Sequence, residues 1–279
     1  MTPTANTAPH ILVEGVGKYY GSRHGHAALR DVNLTLEPSS LTGIVGESGS
    51  GKSTLAKIVA GLEQPSNGAV YWDGSDLRRV LSTQAGRIAY RQAIQLIAQD
   101  TTSSFDPRRT FRDTLRIPAQ VLGGMDRIAA DAAVDDMVHR MGLPTEFADR
   151  FPAQLSGGQR QRMSIARALI VSPRMLICDE AVSALDVSVQ GSILNLLKRY
   201  CRQSGAGLLF VSHGLPATAF ITDSLIVMKD GEIVERGNTK DVLDTPKNSY
   251  TSSLVAAYAE GEENFPASQI HADLSIVER

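Results

Sequence analysis

A run of nine residues combines glycine, lysine and hydroxyl side chains in a spacing that suits phosphate chemistry. The run is Gly46-Glu47-Ser48-Gly49-Ser50-Gly51-Lys52-Ser53-Thr54, which fits the pattern G-x-x-x-x-G-K-[ST]. Glycines let the backbone curl so that successive N–H groups point at phosphate oxygens. Lysine can reach the outer phosphates, and the Ser53 hydroxyl suits Mg²⁺. The run therefore predicts a nucleotide phosphate site, with an ordinary glycine-rich turn as the alternative.

The flanking residues supply the strand and the helix that such a loop needs. An apolar run at 41–45 predicts a strand before the loop, and residues 55–60 predict a helix after it. The N-terminus of that helix adds partial positive charge where phosphates would lie. This context favours a phosphate site over a plain turn.

Two acidic residues follow a second apolar run. Residues 175–178 are typical of a buried parallel strand, and Asp179 and Glu180 come directly after them. Beside a phosphate site, the first carboxylate can hold Mg²⁺ through water, and the second can orient or activate an attacking water. The alternative is two solvated acids at a strand end. The phosphate loop in the same chain favours the catalytic interpretation.

A third segment places a serine and two glycines before a helical pattern. It is Ser156-Gly157-Gly158-Gln159, between Leu155 and the predicted helix at 160–168. A helix N-terminus of this kind can bind an anion, and the alternative is a capped helix start with glycines in a turn. Because the chain carries two phosphate-type segments, both before Asp179, we favour a second anion site.

The composition limits the class of protein. The chain has 279 residues, of which 42% are hydrophobic and 21% charged, so a globular fold with a sizeable core is expected. A net charge of −2 gives no bulk basic surface for nucleic acid. Two cysteines, Cys178 and Cys201, are too few for a disulfide framework or a zinc cluster, which is typical of a reducing cytosol. No signal peptide or membrane span is predicted, so a membrane role would require a partner.

Hydrophobic periodicity predicts an α/β body with an antiparallel β subdomain and an α-helical insert. Strands are predicted at 11–13, 32–36, 41–45, 68–72, 94–98, 175–178, 208–211, 225–228 and 232–234, and helices at 189–203, 239–243 and 250–258. The insert covers approximately 107–162. Within it, Ile128, Ala132, Met137 and Met141 approximate a helical stripe. The domain spans 10–260, with a flexible tail at 1–9 and a mobile tail expected at 261–279.

Together these segments resemble the ATP-binding subunit of ABC transporters, over about residues 11–260. The resemblance comprises the Walker A loop at 46–54, the signature at 155–159 and the Walker B strand at 175–180. Gln99 resembles the Q-loop glutamine, Ser183-Ala184-Leu185-Asp186 the D-loop, and His213 the switch histidine. Tyr20 resembles the aromatic residue that stacks on adenine, with Tyr19 or plain packing as alternatives. The order and spacing of these motifs are far more specific than any one of them.

The resemblance implies a P-loop NTPase fold of the ABC type and a role for each motif residue. Lys52 and the loop backbone would hold the phosphates of ATP. Ser53 and Gln99 would ligate Mg²⁺, with Asp179 acting through water. The catalytic residues would be Glu180 as general base, His213 at the γ-phosphate and Gln99. For His213, the alternative is an ordinary packed histidine.

The resemblance also implies that the active site is shared between two chains. The signature residues Ser156 and Gly158 would contact ATP bound to the opposite subunit, so two chains would sandwich two ATP molecules head to tail. One chain alone would then be a poor ATPase. The nucleotide-binding residues expected from the signature and the D-loop are Ser156, Gly157, Gly158, Gln159 and Asp186.

Three segments narrow the resemblance to importers of dipeptides, oligopeptides and nickel. They are residues 99–108, 179–190 and 244–251. This implies a second ATPase subunit, either a copy or a paralogue, two membrane permease subunits and an extracytoplasmic solute-binding protein, with no nucleic-acid partner. The chain would lie peripherally on the cytoplasmic face of the inner membrane.

The chain departs from this group in its cysteines and after the switch histidine. It has no cysteine beyond Cys201, so the iron–sulfur cluster of many members is not expected. Gly214 stands where aspartate is common, which predicts an altered local hydrogen bond. A basic set in the insert is interpreted either as a contact for a permease helix or as a solvated face; its members are Arg108, Arg109, Arg112 and Arg116.

Other ATPases of this type offer alternatives. DNA-repair and chromosome-maintenance members need a long coiled coil before the signature, and translation factors need two cassettes, and this chain has neither. An accessory ATPase of a phosphonate-degrading lyase complex stays open, in which ATP would act as an assembly clamp.

Overall fold

The computed structural model describes residues 10–21, 26–98, 104–182 and 187–260. The predictions made for the two tails, for Gln99 and for the segment ending at Asp186 lie outside these residues. The strands are β1 (Ile11–Tyr20), β2 (His26–Leu36), β3 (Leu41–Val45), β4 (Asn67–Trp72), β5 (Ser75–Asp76), β6 (Ile94–Ile97), β7 (Met175–Asp179), β8 (Gly207–Val211), β9 (Ser224–Lys229) and β10 (Glu232–Asn238).

The helices are α1 (Lys52–Val59), α2 (Leu77–Ser82), α3 (Gln84–Ala93), α4 (Phe111–Val121), α5 (Arg127–Arg140), α6 (Gly157–Leu169), α7 (Val187–Ser204), α8 (Leu215–Ile221), α9 (Thr239–Asp244) and α10 (Ser249–Glu260). Two short 3₁₀ helices, Thr145–Asp149 and Pro152–Gln154, lead into α6. Within the described ranges, no helix is both long and apolar enough to cross a bilayer.

An antiparallel sheet forms the smaller β layer, as predicted. Its strand order is β2-β1-β4-β5, and Val13 of β1 lies opposite Leu34 of β2 and Val70 of β4. In β2, the buried residues Val32, Leu34 and Leu36 alternate with exposed ones. One face of the sheet therefore packs on the core while the other meets solvent.

The central sheet has the order β10-β9-β3-β8-β7-β6. Its five strands from β9 to β6 are parallel, and β10 pairs antiparallel at the edge. All residues of β3, β7 and β8 are buried, which explains their near-continuous apolar sequences. Because these strands are parallel, the residues that follow them meet at one edge of the sheet.

Helix α1 lies in the core between the two sheets. Leu55 and Ile58 of α1 pack with Val13 of β1 and Ile177 of β7 in one cluster of buried residues. This packing fixes the helix that begins at the phosphate loop. Helices α2 and α3 were not predicted; their N-termini are capped by the side chains of Asp76 and Thr83.

The predicted helical insert is present, but the predicted stripe on α5 is wrong at its first two residues. Ile128 is 83% exposed and Ala132 is also exposed. The buried face of α5 begins at Ala130 and continues through Val134 and Val138, with Met137 and Met141 beside them. Ile128 stands two residues from Ala130, which on a helix turns it to the opposite side.

Two arginines of the basic set form ion pairs inside the insert. Arg112 contacts Asp149 through two hydrogen bonds, of 2.6 and 3.1 Å, and Asp135 at 2.8 Å. Arg116 contacts Asp131 at 2.7 Å and Asp113 at 2.9 Å. These two guanidinium groups therefore join α4 to α5 and to the following 3₁₀ helix. Their side chains are therefore not part of a fully solvated face, whereas Arg108 and Arg109 are exposed.

Candidate active site

The phosphate loop runs from the end of β3 to the start of α1, and its shape requires glycine at two positions. Gly46 has φ 151° and Gly51 has φ 99°. A Cβ atom would lie 2.1 Å from the Met228 carbonyl oxygen at Gly46, and 2.4 Å from that of Ala28 at Gly51. Both positions combine a left-handed backbone with a close approach that excludes a side chain.

Lys52 lies against the backbone of this loop. Its ammonium group donates hydrogen bonds to the carbonyl oxygens of Gly46 at 2.8 Å and Glu47 at 2.7 Å, and contacts Ser50 Oγ at 3.3 Å. The side chain is buried, and burial lowers the pKa of Lys52, although Glu180 and Asp179 act to raise it. The cation expected in the loop is therefore held there by the loop itself.

Ser53 and Asp179 join the loop to the acidic pair. Ser53 Oγ donates a hydrogen bond of 2.8 Å to Asp179 Oδ1 at the end of β7. Burial raises the pKa of Asp179, and the hydrogen bond from Ser53 opposes this. A hydroxyl and a carboxylate side by side offer the oxygen donors that Mg²⁺ takes beside nucleotide phosphates. The residues present therefore fit the predicted metal.

Glu180 and His213 face each other across the ends of β7 and β8. Glu180 has φ 50°, and its N–H donates to the Val211 carbonyl oxygen at 2.9 Å. Glu180 Oε1 lies 3.7 Å from His213 Nδ1, with the His213 side chain 58% exposed and that of Glu180 21% exposed. The sheet edge thus brings Lys52, Ser53, Asp179, Glu180 and His213 together from three separate parts of the chain.

Gly214 follows His213 at the start of α8. It occupies the N-cap position of α8, where it offers no capping side chain. Its N–H donates instead to Ser212 Oγ at 3.0 Å. The Ser212 hydroxyl therefore holds the turn that carries His213.

Tyr20 lies close to the first turn of α1. Its hydroxyl donates a 2.8 Å hydrogen bond to Glu63, and its pKa is raised by burial and by that contact, while Thr54 opposes the shift. The Lys18 ammonium lies 5.2 Å from the centre of the ring. The ring is 43% exposed, and that of Tyr19 is 50% exposed, so both have surface available for a flat ligand.

The signature segment caps α6. The Ser156 side chain accepts a hydrogen bond from the Gln159 N–H at 3.3 Å, and Gln159 Oε1 accepts one from the Ser156 N–H at 2.9 Å. Ser156 and Gly157 are exposed, and a Cβ at Gly157 would meet no atom within 4 Å. A Cβ at Gly158 would lie 3.1 Å from Val189. This helix end is capped and also open to an outside ligand.

Four contacts in and around the site were not predicted. Arg167 of α6 donates to the Ser104 carbonyl oxygen at 2.5 Å, and its guanidinium lies 4.8 Å from the centre of the Phe105 ring. The Glu47 N–H donates to Tyr250 Oη, and the Tyr258 hydroxyl donates to the His213 carbonyl oxygen. The partners are far apart in sequence, so no local pattern could indicate these contacts.

Known proteins share these motifs and this fold. Residues 29–183 match the ABC transporter family. The chain belongs to the ABC transporter family. As an ABC cassette it is 38% identical to the oligopeptide transport ATP-binding protein OppF of Lactococcus lactis subsp. lactis (strain IL1403) over 230 residues, which are 82% of this chain and 72% of OppF. It is 40% identical to the nickel import ATP-binding protein NikE of Escherichia coli O157:H7 over 219 residues, covering 78% of this chain and 81% of NikE.

Solved ABC cassettes share the fold. A dimeric post-hydrolysis structure of the ATP-binding cassette MJ0796, bound to ADP and Pi, has a TM-score of 0.75 at 29% identity and covers 82% of this chain and 98% of that one. The structure of cbiO1 from Clostridium perfringens, part of the ABC transporter complex cbiONQ, has a TM-score of 0.73 at 25% identity, covering 91% and 95%. The predicted fold class, ATP binding and ATPase activity of this ABC cassette are therefore confirmed.

Proposed function

We propose that this ABC cassette hydrolyses ATP to drive import of a peptide-like solute or nickel. The observation that carries the proposal is the convergence of Lys52, the Ser53–Asp179 pair and the Glu180–His213 pair at one sheet edge. The relatives named for oligopeptide transport and nickel import support this solute class. These relatives are transport proteins, and none of the geometry favours the lyase-accessory alternative.

The phosphate loop is the proposed binding site for the phosphates of ATP. The Lys52 ammonium group already lies against the loop, so it can pair with phosphate oxygens there without movement of a helix or strand. The N–H groups of Gly49, Gly51 and Ser53 are the proposed further donors. Tyr20, beside the first turn of α1, is the proposed platform for adenine.

Ser53 and Asp179 are the residues that would hold Mg²⁺, together with Gln99 from outside the described ranges. Bound there, the ion would neutralise charge on the phosphates. The Ser53 hydroxyl and the Asp179 carboxylate are already in contact, so their oxygens lie close enough to face the same ion. Two residues that hold one ion must be close together in this way.

Glu180 is the proposed general base. The attacking water forms a bond to the γ-phosphorus, the bond from that phosphorus to the bridging oxygen breaks, and the water's proton passes to the Glu180 carboxylate. His213 faces the same carboxylate at 3.7 Å, so it can orient Glu180 and contact the γ-phosphate. Turnover then depends on both residues.

A second cassette is proposed to complete each site. The open N-terminus of α6 offers Ser156, Gly157, Gly158 and Gln159 to a nucleotide on another chain, and Asp186 belongs to the same proposed interface. The dimeric MJ0796 structure supports this arrangement. The remaining partners proposed are two permease subunits and an extracytoplasmic solute-binding protein, with the cassette on the cytoplasmic face of the inner membrane.

Replacement of the proposed base tests the assignment. Glu180→Gln should lower ATP hydrolysis about 100-fold or more while ATP binding persists, so that an ATP-bound dimer accumulates in size-exclusion chromatography. Glu146→Gln makes the same change at an exposed glutamate of the insert and serves as the control. Hydrolysis by Glu180→Gln at the rate of the unmodified chain would refute the assignment.

Purification from membranes tests the transport proposal. The full chain should co-purify with two integral membrane proteins when the complex is extracted in mild detergent and its components are identified by mass spectrometry. If the chain purifies with lyase components instead, the import proposal is wrong, but the ATPase activity is not contradicted.

A further inference from the structure

The last described helix, α10, contacts the active site through two tyrosine hydroxyl groups. Tyr250 Oη accepts a 3.0 Å hydrogen bond from the N–H of Glu47 in the phosphate loop. Tyr258 Oη donates one to the carbonyl oxygen of His213, the residue that faces Glu180. One helix therefore touches both the proposed phosphate site and the segment beside the proposed base.

A separate small core fixes the position of α10. Leu254, Val255 and Tyr258 of α10 pack against a cluster that includes Val45, at the end of β3, and Leu215, at the start of α8. Val45 directly precedes the phosphate loop, and Leu215 follows His213 by two residues. The helix is thus packed on the two elements whose ends it contacts.

The N-terminus of α10 is fixed by hydrogen bonds. The Glu235 carboxylate of β10 accepts N–H hydrogen bonds from Lys247 at 2.8 Å and Asn248 at 3.1 Å. The Asn248 side chain caps the helix by accepting the Tyr250 N–H at 2.9 Å. Lys247, Asn248 and Tyr250 belong to the segment 244–251, which helped to narrow the resemblance in the sequence analysis but was given no structural role there. Its structural effect is to hold Tyr250 in place.

Tyr250 and Lys52 contact the same peptide group from two sides. The carbonyl oxygen of Gly46 accepts from Lys52 Nζ at 2.8 Å, and the N–H of the same peptide, on Glu47, donates to Tyr250 Oη. A peptide group is planar and rigid, so fixing its N–H fixes its carbonyl. The hydroxyl of Tyr250 therefore sets the orientation of the carbonyl that receives the Lys52 ammonium.

We infer that Tyr250 and Tyr258 are positioning residues for ATP hydrolysis, acting through the phosphate loop and through the His213 segment. Tyr250 orients the loop and so affects ATP binding. Tyr258 orients the carbonyl of His213 and so affects the chemical step. The inference rests on the proposed roles of Lys52 and His213, and it gives the subfamily segment at 244–251 a role in the reaction.

Removal of single hydroxyl groups tests the inference in the full chain. Tyr250→Phe should raise the Kd for ATP about 3- to 10-fold with kcat retained, and Tyr258→Phe should lower kcat by a similar factor with the Kd retained. Tyr200→Phe is the matched control, because Tyr200, on α7, donates to the Pro173 carbonyl oxygen, outside the site. It should leave both constants unchanged.

Hydrogen exchange supplies a readout that does not depend on turnover. The Glu47 amide loses its acceptor in Tyr250→Phe, so it should exchange faster than in the unmodified chain and in Tyr200→Phe. An unchanged ATP Kd and unchanged exchange at Glu47 would overturn the role of Tyr250, and an unchanged kcat would overturn that of Tyr258. Failure of the proposed base would be a separate result. If Glu180→Gln hydrolyses ATP like the unmodified chain, the ATP Kd and the Glu47 amide exchange expected for Tyr250→Phe are unaffected.

Discussion

The Ser53 hydroxyl lies 2.8 Å from Asp179 Oδ1, so a hydrogen bond joins the first turn of α1 to the end of β7. The two residues are 126 positions apart in the chain. Parallel pairing of β3 and β7 with β8 makes them neighbours, since it places both strand ends at one edge. The contact links the phosphate loop to the acidic pair before any ligand is considered.

Asp179 should limit stability and support hydrolysis. Because burial raises the pKa of Asp179, its charged form destabilises the fold at pH values above that of an ordinary aspartate. Asp179→Asn should therefore melt higher than the unmodified chain at pH 7, and this gain should vanish as the pH falls below about 4. Mg²⁺-dependent hydrolysis should fall at least about 10-fold. Calorimetry across pH and a Mg²⁺ titration check both parts, and a lower melting temperature at pH 7 would contradict the first.

Tyr20 and Tyr19 can be separated by affinity for ATP. Tyr20→Leu should raise the Kd about 5- to 10-fold, because stacking of a base on an aromatic ring is worth about 1 kcal/mol or more. Tyr19→Leu should leave the Kd unchanged and serves as its control. Titration with a fluorescent ATP analogue measures both, and the reverse order of effects would assign the platform to Tyr19.

The ion pairs of Arg112 should stabilise the insert in a pH-dependent way. Arg112→Ala should lower the free energy of unfolding by about 1 kcal/mol, a small value because the side chains of Asp135 and Asp149 are 45% and 61% exposed to solvent. The hydrogen bond from Arg112 holds the pKa of Asp149 below its ordinary value. The contribution is therefore present at neutral pH and lost as the pH falls below about 4.

Urea unfolding at two pH values measures this effect. Arg108→Ala, at an exposed arginine just before α4, is the control and should not change stability at either pH. An equal loss of stability in Arg112→Ala at pH 7 and at pH 3 would show that packing of the arginine, and not its charge, matters.

The corrected face of α5 can be tested with two substitutions. Val134 is fully buried, so Val134→Ala should destabilise the fold by about 2 kcal/mol. Ile128 is 83% exposed, so Ile128→Ala should change stability by no more than about 0.5 kcal/mol. Unfolding midpoints in guanidinium compare the two. A larger loss of stability in Ile128→Ala than in Val134→Ala would support the buried stripe first predicted from the sequence.

The sheet and the site edge could be predicted because their signals are local. Each buried parallel strand, such as β7, is a short apolar run, and the chemistry follows directly at Asp179 and Glu180. The phosphate loop is recognisable from its spacing together with the strand and helix that flank it. Helices α2 and α3 were missed although their capping residues, Asp76 and Thr83, were available signals. Their short apolar patterns fall between two clearer strands.

The remaining contacts depend on partners that sequence spacing does not reveal. Arg112 and Asp149 are 37 residues apart, and Glu47 and Tyr250 are 203 apart. The ion pairs of Arg112 and Arg116 were missed because Asp131, Asp135 and Asp149 lie on other elements. On α5, the large apolar residue Ile128 was predicted to lie on the buried face, but the smaller Ala130 faces the core.

The backbone conformation of Glu180 lowers the stability of the fold, while its side chain is the proposed general base. At φ 50° this residue holds a conformation that glycine adopts freely and that other residues adopt at a cost of about 1 kcal/mol or more. Stability of the fold alone would favour glycine here, while the proposed general base requires a carboxylate. The proposed role of Glu180 therefore implies that the fold gives up stability at the position of the general base.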